Sequence, residues 1–312
     1  MRETLNIILI VIFSFHFFAC KLPEDQKDRF YTVLMDAKKA SLNDWKSETS
    51  LEFVGLRTGM ILGGGNHITL SNSHVTATGG FRLQYRIDKN HASEMTIGSA
   101  VPISSDGYFL TARHCVDEET DMLAALAHTK DSIGMVKAPF RIVWASHAED
   151  DLDLALIHAE LRPFRPFQFS DQESLAKGNK IGVAGWSSIT KGKSNPMAGV
   201  AVGDLVSVKE IQQKELGLQY LQLRHTAPLH PGDSGGPIVD EIGNLVGINA
   251  EVRIVFSEQL RTLFKKKQNS RPARGYLAVG SLPDQQWLQS LIEADRSKKR
   301  LENTGSTLPE SF

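Results

Sequence analysis

The sequence predicts an all-β fold, and three observations carry that expectation. Asp106-Gly107 sits between apolar runs, a strong hairpin signal. Short apolar or alternating stretches recur along the chain, among them Tyr108–Leu110, Arg141–Trp144, Leu152–Ile157, Lys180–Trp186, Leu218–Leu223, Asn244–Ala250 and Gly275–Gly280, each of strand length. The 312 residues suffice for one large all-β domain or two smaller ones, with ample volume for a core.

Residues 1–19 open with Arg2 and then an apolar run, Leu5 to Ala19 with few polar interruptions, too short for a membrane span of about 20 residues and suited to an export signal. The Ala19-Cys20 ending resembles the lipobox of bacterial lipoproteins. That resemblance implies cleavage before Cys20, a lipid on Cys20 and a mature chain held at the cell envelope; an ordinary cleaved signal and an uncleaved anchor are the alternatives. Residues 20–60 are expected to form an anchor or spacer. Phe30, Val33, Leu34, Ala37 and Ala40 recur in it at helical spacing, giving an amphipathic helix that docks on the main domain or spaces it from the membrane. With 35 Lys and Arg against 36 Asp and Glu, the chain lacks the basic excess that nucleic acid requires. Of its two cysteines, Cys20 and Cys115, only the second remains once Cys20 is processed, so no internal disulfide is expected.

The most informative stretch is Gly232-Asp233-Ser234-Gly235-Gly236-Pro237. A serine hydroxyl is a poor nucleophile unless a base takes its proton and nearby donors hold the charge on the attacked carbonyl. Gly232 has no Cβ, so its N–H can turn toward an incoming oxygen beside the N–H of Ser234. A second stretch, Thr111-Ala112-Arg113-His114-Cys115, ends the strand Tyr108–Leu110. A third, Asp151-Leu152-Asp153-Leu154-Ala155-Leu156-Ile157, sets an aspartate before an apolar run.

These three motifs resemble the nucleophile, general-base and aspartate segments of the trypsin/chymotrypsin-like serine peptidases, with a Gly98-Ser99 lead-in similar to the HtrA-like branch. The resemblance covers about Thr69 to Ala294, the protease domain alone, with no PDZ domain expected after it. It implies two antiparallel β-barrels of the chymotrypsin type, about 61–170 and 171–283, followed by a C-terminal helix. It also implies catalytic His114, Asp153 and Ser234, with Asp151 as the fallback aspartate, and an oxyanion hole from the N–H groups of Gly232 and Ser234. The His, Asp, Ser order along the chain is that of the chymotrypsin type. The expected substrates are proteins or peptides, and the reaction needs neither cofactor nor metal; the histidines show no His-Glu-x-x-His spacing.

The remaining segments follow from the same likeness. Ile61-Leu62-Gly63-Gly64-Gly65 reads as a flexible glycine loop; the alternative is a zymogen-like cleavage whose new ammonium at Ile61 would pair with Asp233. Cys115 is expected to be a buried free thiol, with Ser99 where trypsin has its disulfide partner. Counting back from Ser234, Pro228 occupies the position where trypsin has its pocket-floor aspartate, which favours a small or medium uncharged side chain before the cut bond; Asn249 and Glu251 lie on the pocket-wall strand, and an inward Glu251, restoring a preference for basic side chains, is the alternative. Arg261 to Arg274, with Lys265-Lys266-Lys267, is expected to be a solvated basic loop. Pro283-Asp284 begins the terminal helix with Trp287, Leu288 and Leu291, and residues 296–312 read as a disordered tail.

Overall fold

The computed structural model describes residues 36–75, 81–87, 96–116, 121–147, 152–171, 175–189, 195–214, 217–254 and 276–304. The leader 1–19, Cys20, the helix positions Phe30, Val33 and Leu34, Asp151, the basic stretch 261–274 and residues 305–312 lie outside the described residues.

The strands are β1 (Gly59–Gly63), β2 (Ile68–Val75), β3 (Phe81–Ile87), β4 (Thr96–Pro102), β5 (Tyr108–Thr111), β6 (Met122–His128) and β7 (Ile133–Ala145). They continue as β8 (Ala155–Ala159), β9 (Lys180–Ile189), β10 (Asn195–Gln213), β11 (Leu218–His225), β12 (Pro237–Val239), β13 (Leu245–Ile254) and β14 (Tyr276–Pro283). The first barrel closes in the order β1-β4-β5-β8-β7-β6. The second closes as β9-β10-β11-β14-β13-β12, with β12 returning to β9. Its closure depends on β10, which pairs with β9 over Asn195–Asp204 and then, past a bulge at Leu205 to Ser207, with β11. A bulge bends the strand that carries it, which lets one long strand serve two neighbours. Closure leaves neither barrel with an open edge in its ring, so an all-β fold can stand without disulfides.

Two sequence-based boundaries need correction. The hairpin β2–β3 falls inside the span expected to form the first barrel, yet Phe81 and Arg82 pair with Ala198 and Met197 of β10, so it extends the second sheet. The Ile61 stretch is not a loop: Gly59–Gly63 is buried throughout and pairs with both β4 and β6. Its glycines serve close packing. A methyl on Gly65 would lie 2.7 Å from the Met122 side chain, while Gly64 takes the left-handed φ of +65° that ends the strand.

An apolar cluster spans the interface between the barrels. Val101, Leu110 and Leu156 of the first meet Ala184, Val202 and Val239 of the second in one buried cluster, which Leu288 and Ile292 of the helix α2 (Gln285–Thr304) complete. Asp284 starts α2 by accepting the N–H of Trp287 at 2.8 Å, and Trp287 packs edge-on to Trp144 with ring centroids 4.9 Å apart. The helix does not end where a tail from residue 296 was expected. Its polar turns find partners on the first barrel: Asp295 accepts from Tyr108 Oη at 2.7 Å and pairs with Arg141, Arg296 pairs with Asp106 at 2.8 Å, and Lys299 with Glu160 at 2.5 Å.

The N-terminal segment straps the second barrel. Residues 36–41 are helical, a 3-10 turn covers Leu42–Asp44, and helix α1 (Leu51–Arg57) is capped by Ser50 Oγ on the N–H of Phe53. Ser41 Oγ accepts the N–H of Val202 at 2.9 Å, Thr49 Oγ1 donates to the carbonyl of Glu241 at 2.6 Å, and Gly55 of α1 lies against Val200. The apolar-face expectation fails here in one respect: Ala40 is exposed and Lys38 is buried.

Candidate active site

Strand register explains why His114 and Asp153 meet. β5 and β8 run antiparallel with Thr111 opposite Ala155, so the residues just after β5 and just before β8 share one end of the first barrel. His114 sits in the 3-10 turn Arg113–Cys115, and Asp153 is held between buried Leu152 and Leu154. Asp153 Oδ2 lies 2.5 Å from His114 Nδ1, and Oδ1 accepts the backbone N–H of His114 at 3.0 Å. A carboxylate on Nδ1 stabilises the tautomer whose Nε2 carries the lone pair, the form a general base needs. Burial of the ring opposes protonation, but the neighbouring Cys115 sulfur and the Asp153 carboxylate outweigh it and raise the imidazole well above its ordinary value of 6.5.

Ser234 lies on the turn that joins β11 to β12, with left-handed Gly232 (φ +96°) and Gly235 (φ +81°) on either side. The turn is pressed between the barrels. Ser99 of β4 donates its N–H to the carbonyl of Ser234 at 2.8 Å, and Gly235 donates to the carbonyl of Asn249 on β13 at 2.6 Å. A side chain on Gly235 would strike Ser99 O and Thr111 Oγ1, and would come within 3.0 Å of the N–H of Ala112, so only glycine lets the turn approach the end of β5 this closely. Cys115 Sγ, one residue past His114, lies 3.6 Å from the carbonyl of Ser234. The Ser234 hydroxyl makes a long contact to the carbonyl of Ala250, 3.4 Å. Among the described residues, the N–H groups of Gly232 and Ser234 donate to no protein acceptor, while the intervening Asp233 N–H is taken by the carbonyl of His230.

Three residues not singled out as parts of the site support this turn. Ser99 Oγ donates to the carbonyl of Gly232 at 2.8 Å and accepts the N–H of Trp186 at 2.8 Å. Lys38 Nζ lies 2.5 Å from Asp233 Oδ2, with the two residues 2% and 1% exposed. His225 Nε2 faces Asn249 Oδ1 at 3.0 Å, and complete burial pushes its pKa down to about 4. In the uncut chain Lys38 takes the place at Asp233 that the alternative gave to a cleaved Ile61 terminus, and Ile61 lies buried in β1, paired with Gly98 and Leu123. A signal was available only for Ser99, within the Gly98-Ser99 lead-in; hydropathy assigns a lysine to solvent, and nothing local marks Lys38 or His225.

The expected pocket residues separate. Pro228 is buried between Ala227 and Leu229. The Asn249 amide is fully buried and engaged with His225 and, at 3.4 Å, with the carbonyl of Pro237, so it faces the barrel interior rather than a pocket wall. Glu251 takes its place on β13 opposite Val279. Cys115 is a free, half-buried thiol, and the position facing it is Gly98, not Ser99: a methyl there would lie 2.8 Å from Sγ.

Two six-stranded antiparallel barrels, with a His–Asp pair on one and a glycine-flanked serine on the other, define an all-β protein that brings these side chains to the junction of the barrels. Residues 98–248 match the family of trypsin-like peptidase domains. A probable periplasmic serine endoprotease DegP-like of Chlamydia pneumoniae is 25% identical over 172 residues, 55% of this chain and 32% of its own length. Its namesake from Chlamydia trachomatis is 28% identical over 155 residues, 50% of this chain and 28% of its own. The chain thus spans about a third of the length of the curated relatives it matches. The solved structure "HtrA-type protease AlgW with decapeptide" overlaps 82% of this chain and 67% of that one, with 20% identity and a TM-score of 0.43.

Proposed function

We propose that the protein is an exported serine endopeptidase that hydrolyses peptide bonds through His114, Asp153 and Ser234. The observation that carries this reading is the Asp153–His114 pair, poised at the end of β5 where the Gly232–Gly235 turn abuts the first barrel. In acylation the Ser234 hydroxyl exchanges its long contact with Ala250 for His114 Nε2, gives up its proton there and attacks the substrate carbonyl. The N–H groups of Gly232 and Ser234 hold the oxyanion, and Asp153 stabilises the imidazolium. His114 then protonates the leaving amine, and water, activated by the same imidazole, cleaves the acyl-enzyme. Extended substrate pairs with the backbone of β13, in the mode of strand addition. A leader ending at Cys20 and periplasmic relatives support an envelope location with a lipid on Cys20.

Reaction of the full chain with a fluorophosphonate tests the assignment. The wild type is expected to be modified at Ser234 and to cleave casein, and Ser234→Ala to do neither. A wild type that neither labels nor cleaves favours a binding protein on the protease fold.

A further inference from the structure

One buried charge has no role in that chemistry. Lys38 comes from the N-terminal strap, outside both barrels, yet its ammonium is sunk against the carboxylate of Asp233, the residue between the two N–H groups assigned to the oxyanion. Burying such a pair is a poor route to stability, because desolvation offsets the attraction. Its use is geometric. Asp233 Oδ2 also accepts the N–H of His230 at 2.6 Å, and the Asp233 N–H returns to the carbonyl of His230 at 2.9 Å, so the carboxylate sets the peptide planes on both sides of the turn. Gly185 of β9 makes room, since a methyl there would lie 2.7 Å from Asp233 Oδ1. The strap is held independently at Val202 by Ser41, at Glu241 by Thr49, and at Thr58, whose carbonyl accepts Trp186 Nε1 at 2.8 Å.

We infer that Lys38 is a positioning residue for the Gly232–Ser234 turn, and that docking of the strap on the second barrel is what makes the turn competent. This rests on the peptidase reading. The cation arrives on the side chain of an upstream segment, so competence requires no cut at Ile61 and is lost when the strap lifts.

The test measures fluorophosphonate labelling of Ser234, kcat and KM on a fluorogenic peptide, and thermal melting for the full chain, its Lys38→Met variant and its Lys38→Ala variant with and without ethylammonium. Losing the turn's geometry removes oxyanion donors, so Lys38→Met is expected to label about 10²–10³-fold more slowly, with the loss in kcat and KM little changed. Lys38→Ala is expected to regain labelling as ethylammonium fills the vacated site, saturably, and to regain its cooperative melt if that was lost. Lys38→Met that melts cooperatively and labels at the wild-type rate overturns the inference, as does Lys38→Ala that ethylammonium does not help. A wild type that never labels overturns the peptidase reading instead.

Discussion

Ser99→Ala removes one hydroxyl that holds two backbone groups of different barrel elements. Ser99 is fully buried, and its Oγ is the partner of both the Trp186 N–H and the Gly232 carbonyl, each at 2.8 Å. A buried backbone group left without a partner costs about 1–3 kcal/mol, and these are two. Taking the carbonyl at the low end gives a loss of about 2–4 kcal/mol, a sizeable share of a domain stability of about 5–15 kcal/mol. For a domain of this size, that lowers the melting temperature by roughly 10 °C. The same change frees the Gly232 carbonyl to rotate, so the rate of fluorophosphonate labelling is expected to fall as well. Differential scanning fluorimetry and a labelling time course measure the two effects, with Ser132→Ala, on an exposed turn, as the control. A Ser99→Ala variant that melts within 2 °C of wild type, on the order of 1 kcal/mol or less, and labels at an equal rate refutes the view that this hydroxyl joins the turn to the barrels.

Acid should act on two histidines with different results. The raised His114 pKa means that kcat/KM falls as pH drops through a value above the ordinary 6.5, because attack needs the neutral ring. The stability from the same pair has the opposite trend: it is fully present below 6.5 and fades as pH rises through the folded pKa. His225, with its pKa pushed down to about 4, binds its proton more readily when unfolded, so stability falls between about 6.5 and 4 by up to about 3 kcal/mol, and His225→Gln should flatten that part of the stability–pH curve. Trp287→Ala removes the half-buried ring that packs on Trp144 and is expected to destabilise by about 1–3 kcal/mol; a melt unchanged by it would mean that α2 does not brace the first barrel. Gly98→Ala would press a methyl to 2.8 Å from Cys115 Sγ and 3.0 Å from its Cβ, and this overpacking is expected to destabilise by about 1–3 kcal/mol; a thermal melt unchanged by it would mean that the thiol has room to move aside.

Much of the β framework was legible because strand-length apolar runs leave little choice. Leu245 to Ala250, Lys180 to Trp186 and Tyr108 to Leu110 all lie in strands, and the motif order placed His114 and Asp153 within contact. The sequence misled where glycine had a reason other than flexibility, as in β1, and where polar residues bind something far away. Lys38 and Asp233 are nearly 200 positions apart, and no periodicity links them. The last turns of α2 look like a tail because Arg296 and Lys299 are charged; only the fold shows the carboxylates waiting on the first barrel. The pocket was hardest, since Asn249 could point either way along β13 and its register, not its identity, turned it inward.

The first and last described segments are crossed over the barrels: the N-terminal strap lies on the later barrel, and the C-terminal helix braces the earlier one. The second barrel therefore forms against a strap made long before it, while the first receives its bracing helix only after every strand is made. Such long-range closure is slow to form. A copy cut short before α2 leaves Tyr108, Arg141 and Asp106 of the first barrel without the partners that the helix brings.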